Sequence, residues 1–146
     1  MLDNVRSAWN VGSILRTADG AGISQVHLCG VTPPGDHPKV VKTALGAEKS
    51  VCWTYHTNSL EAARSLIEGG RRLWALEFTP GSVPIWELKR LPQEPLVLVV
   101  GNEVVGVDPE LLGMCERAFH LPMGGSKRSY NVAVAFGMAA VYLLGL

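Results

Sequence analysis

Gly101-Asn102-Glu103 directly follows Leu96 to Val100 (LVLVV), a continuous apolar run that reads as a strand. A turn there places small residues and free backbone amides at the C-terminal edge of a buried strand, where open α/β sheets bind ligands. Pro122-Met123-Gly124-Gly125 repeats the arrangement after Ala118 to Leu121. Asn10 and Arg16 stand six residues apart near the start, and Ser129 and Asn131 precede the apolar segment that ends the chain. Each has a plainer reading beside a functional one. Asn10, Ser129 and Asn131 are helix-capping residue types, Arg16 suits a solvated helix face, and Glu103 suits the amides of a turn. Lys127 and Arg128 read as a solvated loop or as phosphate contacts.

Familiar nucleotide signatures fail. Gly20-Ala21-Gly22 lacks the third glycine of a dinucleotide fingerprint, and Gly124-Gly125-Ser126-Lys127 lacks the glycine that directly precedes a P-loop lysine. His27, His37, His56 and His120 never fall at the i, i+4 spacing of a helical metal site, so no metal is expected. Cys29, Cys52 and Cys115 are odd in number and widely spaced, which argues against a disulfide framework and a zinc site and for partly buried thiols.

The elements that would position these residues alternate. Helical spacing runs from Val11 to Ala21 with Asn10 at the cap, from Pro38 to Leu45 with Gly46 ending it, and from Ser59 to Glu68. Another helix starts at Asp108-Pro109, and Asn131 to Leu144 is helical and apolar nearly all round. Strands fit Gln25 to Cys29, which alternates, Val51 to Tyr55, Arg72 to Phe78, Leu96 to Val100 and Ala118 to Leu121. The fold class is therefore α/β, a mostly parallel sheet with helices on both faces. The last helix needs cover on every side, which predicts a homodimer. Trp9, Trp53, Trp74 and Trp86 share no period and read mostly as core or interface residues rather than as a base-stacking platform.

With 146 residues, 47% of them hydrophobic, and no linker, repeat or low-complexity tract, residues 1–146 read as one domain. The apolar stretch Val132 to Leu144 is shorter than a membrane span, and the first residues lack an apolar signal core, so a cytoplasmic location is expected. Thirteen basic residues balance thirteen acidic ones. A neutral chain binds RNA only through local patches, and Lys39, Lys42, Lys49, Lys127 and Arg128 could form one.

Three segments together resemble the SPOUT class of RNA methyltransferases, specifically the SpoU/TrmH-type ribose 2′-O-methyltransferase family. They are Asn10-Val-Gly-Ser-Ile-Leu-Arg16-Thr-Ala-Asp, then Val100-Gly-Asn-Glu-Val-Val-Gly106, then Leu121-Pro-Met-Gly124 with Ser129-Tyr-Asn-Val-Ala-Val-Ala135. They stand in family order and span almost the whole chain. One departure is that only Met1 to Val5 precede Arg6-Ser-Ala-Trp-Asn10, so the usual first strand is minimal or the chain is shortened.

The resemblance implies a deep C-terminal trefoil knot and S-adenosylmethionine held by Leu76, Gly101, Leu121, Met123, Ser129 and Asn131. It implies methyl transfer to a ribose 2′-hydroxyl of tRNA or rRNA. Arg16 would act on that hydroxyl, Asn10 would orient the groups and Glu103 would support Arg16 or the cofactor. Lys42, Lys127 and Arg128 would meet RNA phosphates. The alternative is a knotted RNA-binding or ribosome-assembly module that keeps the pocket without catalysis; methyl transfer discriminates the two.

Overall fold

Short apolar runs bounded by turns form the centre of the computed structural model, which describes every residue except 89–90 and 92–93. The strands are β1 (Leu2–Asp3), β2 (Val26–Cys29), β3 (Trp53–His56), β4 (Arg72–Leu76), β5 (Val83–Pro84), β6 (Leu96–Val99) and β7 (Arg117–His120). Their pairings are all parallel and give two sets, β1-β2-β3 and β5-β7-β4-β6. A bridge between Leu2 and Val100 joins them, with Asp3 N–H donating to Val100 O at 2.8 Å and Val100 N–H to Met1 O at 3.0 Å. The order across the sheet is thus β3-β2-β1-β6-β4-β7-β5.

Helices α1 (Ala8–Gly20), α2 (Pro38–Ala44), α3 (Ala47–Ser50) and α6 (Val132–Leu144) cover one face. Val11, Ile14 and Leu15 meet Leu2, Leu28 and Phe136 there. On the other face α4 (Ser59–Glu68) and α5 (Pro109–Met114) bring Ala63, Leu66 and Leu111 onto Leu73, Val97 and Val99. Gly12 lets α1 approach α2, since a Cβ on it would lie 2.6 Å from Val40 O and 2.7 Å from Thr43 Cβ. Fully buried Phe119 of β7 anchors the far side of the sheet; truncating such a ring costs about 3–5 kcal/mol.

The α/β class, the parallel sheet and the helices at 59–68, 109–114 and 132–144 agree with expectation. The first helix does not start where the sequence suggests. Ser7, in extended conformation, is its N-cap and accepts from Asn10 N–H at 3.3 Å, so Asn10 sits inside the first turn with its side chain free for another task. β2 is buried along its whole length rather than alternating, because both layers of helices cover it. Leu45, in the left-handed region, ends α2, while Gly46 caps α3, a helix not anticipated. β5 is likewise unforeseen, and β1 is two residues long.

Two burial expectations need correction. Cys52 is exposed, as are Trp9 and Trp86. In the single chain α6 buries Phe136, Ala139 and Ala140 but leaves Val134, Met138, Val141, Tyr142 and Leu144 exposed. Among the described residues no helix is long and apolar enough to cross a membrane.

Candidate active site

The C-terminal ends of β4, β6 and β7 open on a cavity of about 330 Å³, at the small end of the range for ligand sites. The loop after β6 shapes its floor. Asn102 and Gly106 exchange two main-chain hydrogen bonds of 2.9 Å, and the Asn102 carboxamide accepts from Val104 and Val105 N–H while donating to Asn4 O at 2.7 Å. Gly101 must be glycine, because a Cβ would lie 2.2 Å from Gly106 C and Val107 N.

That loop aims Glu103 at the start of α1. Its carboxylate accepts from Arg6 N–H at 2.9 Å, Ser7 N–H at 3.0 Å and the Asn10 amide at 3.0 Å. Partial burial opposes ionisation, but the two backbone donors and the Asn10 amide outweigh it and hold the carboxyl below its ordinary value. Asn10 Oδ1 accepts in turn from Asn131 Nδ2 at 3.0 Å. Asn131 caps α6, its Oδ1 accepting from Ala133 N–H at 2.9 Å and Val134 N–H at 3.4 Å. One chain of hydrogen bonds therefore links the segment around residue 10, the turn around 103 and the segment around 131.

Leu76, Gly101, Glu103, Leu121, Ser129 and Asn131 line the cavity, as does Arg128. Asn10 borders it through Glu103 and Asn131. Met123, Lys42 and Lys127 are not among the lining residues, and neither is Arg16, which is exposed on α1. Lys42 instead stands over the Trp9 ring, 5.7 Å from its centroid.

Two titratable lining residues escape the sequence reading. Glu77 holds the loops together by accepting from Val107 N–H at 3.0 Å and Phe78 N–H at 3.2 Å; the signal was a lone carboxylate in the apolar run RLWALEF. His120 ends β7, lies 2.8 Å from Ser82 Oγ through Nδ1 and packs edge-on against Phe78. A histidine just before a Pro-Met-Gly-Gly loop gives no spacing signal.

Apolar walls from Leu76, Val100, Leu121, Val132 and Ala135 suit a flat heteroaromatic ring, and the Ser129 and Asn131 side chains offer polar partners beside them. The donor set therefore fits S-adenosylmethionine. Burial, the largest effect, pushes the Cys29 and Cys115 thiols up to about 11, so neither is a thiolate nucleophile at neutral pH. Among the described residues no three His, Cys, Asp or Glu side chains gather as a metal site.

A family model described as the SpoU rRNA Methylase family matches residues 1–141. The tRNA (guanosine(18)-2′-O)-methyltransferase of Thermus thermophilus is 34% identical over 98% of this chain and 70% of its own length. A 23S rRNA (guanosine(2553)-2′-O)-methyltransferase of Bacillus subtilis is 30% identical over 99% of this chain and 57% of its own. Among solved structures, the AdoMet-bound rRNA methyltransferase from Sinorhizobium meliloti superposes with a TM-score of 0.90 at 30% identity, over 97% of this chain and 53% of that one. The A. aeolicus TrmH/SpoU tRNA modifying enzyme gives 0.86 at 27% identity, over 99% and 72%. The chain thus spans little more than half of some relatives.

Proposed function

This chain belongs to the SpoU rRNA Methylase family, and from that premise we propose that it transfers a methyl group from S-adenosylmethionine to a ribose 2′-hydroxyl of tRNA or rRNA. The observation that carries the reading is the Glu103–Asn10–Asn131 chain at the mouth of the cavity, because it ties together the three segments that bear the family resemblance. Residues 1–146 act as one SPOUT domain with the family's knotted path, working in the cytoplasm where its RNA is found.

The cofactor supplies an electrophilic methyl carbon when bound. Leu76, Gly101, Leu121, Ser129 and Asn131 hold it, with Met123 completing the loop beyond the wall. A ribose hydroxyl is a weak nucleophile, so the protein must align it and ease loss of its proton. Arg16 polarises that hydroxyl or holds the adjoining phosphate while another group takes the proton, since an arginine side chain donates hydrogen bonds and accepts none. Asn10 and Glu103 fix the first turn of α1 and with it the helix that carries Arg16. Lys42, Lys127 and Arg128 meet backbone phosphates, and the exposed face of α6 packs on a second copy.

The test is transfer from labelled S-adenosylmethionine to total RNA, followed by nucleoside analysis. Label in 2′-O-methylnucleosides is expected. RNA and cofactor binding without transfer would instead select the assembly-factor alternative.

A further inference from the structure

Trp74 is buried, and Trp53 is half-buried with its indole N–H donating to Glu48 O at 3.0 Å. Trp9 differs from both. It keeps 49% of its surface exposed on the first turn of α1, with the Lys42 ammonium from α2 over its ring. Seven residues separate Trp9 from Arg16, nearly two helical turns, so both lie on one stripe of α1 about 10 Å apart along the axis.

The charged side chains of α1 up to Arg16 and of the neighbouring α2 are basic, while the Glu103 carboxylate binds the start of α1 at Arg6, Ser7 and Asn10. α2 carries Lys39 and Lys42 and no acid. The acid of α1, Asp19, sits beyond Arg16 and accepts from Ser50 Oγ at 2.6 Å. An exposed indole flanked by cations matches what an unpaired nucleotide offers, a π-face attached to a phosphate. A second copy finds the larger apolar contact on the exposed face of α6, at Val134, Met138 and Val141.

We infer that Trp9, with Lys42 beside it, is a stacking platform for an unpaired base of the substrate RNA, next to the ribose that Arg16 attends. The inference rests on the RNA-methylation reading and adds a specificity: the substrate presents a base outside a duplex. Bases within an A-form helix are stacked on one another and cannot offer a face to the indole.

Binding of a labelled single-stranded RNA and of a duplex RNA of equal length to the full chain tests it. Trp9→Ala should weaken single-strand binding about tenfold, with duplex affinity, sedimentation, melting temperature and cofactor affinity unchanged. Trp9→Phe should recover most of the loss. Unchanged single-strand affinity overturns the inference, as does equal loss on both RNAs or a shift in sedimentation, which would assign Trp9 to a contact between copies. A wild-type chain that binds no RNA overturns it together with the function reading. Trp9-dependent binding without methyl transfer leaves the platform standing and overturns only the catalytic claim.

Discussion

Asn131 donates its side-chain amide to Asn10 at 3.0 Å across 121 positions of sequence. The same carboxamide caps α6 through its oxygen, so one residue holds a helix end and a site wall. Two substitutions separate the tasks. Asn131→Ala removes both and should cost about 1 kcal/mol of stability from the cap alone. Asn131→Asp keeps the cap but sets a carboxylate against the Asn10 carbonyl oxygen. Its melting temperature should stay near wild type while cofactor affinity falls, which thermal melts and calorimetric titration would check.

Arg16→Ala should fold normally, because alanine is a strong helix former and Ile14, Leu15 and Ala18 keep their buried positions. Arg16 lies outside the cavity, so cofactor affinity should hold. Single-turnover methylation of the cognate RNA should drop by about 100-fold or more, the signature of an interaction made mainly in the transition state. Wild-type turnover would remove Arg16 from the mechanism.

Sedimentation should report a dimer at micromolar concentration, with Met138→Glu or Val141→Glu shifting it to monomer. Both residues are exposed on α6 in the single chain, and a buried carboxylate without a partner is costly. A wild-type monomer would leave that face to another partner.

Replacing Lys127 and Arg128 together with alanine should reduce the slope of log affinity against log salt by about 2, because each cation that meets a phosphate releases roughly one counterion. Both are exposed and make no ion pair among the described residues. An unchanged slope would assign phosphate binding to other cations.

His27 and Glu103 each make stability fall with acidification, in different windows. Burial above all, then the Met1 ammonium, His56 and Arg71, lowers His27 from 6.5 to about 4. The unfolded chain therefore binds more protons between those values, and stability declines as pH drops from 6.5 toward 4. Glu103 works from below. Its folded value is depressed, so its contribution is complete above the ordinary carboxylate range and is lost as pH falls through the folded value. His27→Asn should flatten the upper window and Glu103→Gln the lower, read from denaturant midpoints across pH.

Apolar periodicity makes the sheet and the long helices legible, because β4 and β6 must be buried and α4 shows one clear apolar stripe. It cannot find α3 or β5, which are too short to show a period. The start of α1 is ambiguous in sequence because Ser7 and Asn10 are equally good caps by type; only the hydrogen bond to Glu103, 93 positions away, decides which is free. Motif resemblance finds Glu103 and Asn131 but not Glu77 or His120, whose roles arise from loops meeting in space.

β1, two residues long, fills the middle of the sheet and touches Val100 on one side and β2 on the other. During synthesis β2 leaves the ribosome early, but Val100 follows roughly five to twenty seconds after Leu2 at ordinary rates of elongation. For that interval nothing bridges the two sets of strands, so a nascent chain stalled before residue 100 carries β1 and β2 without the Gly101–Gly106 turn on which the site is built.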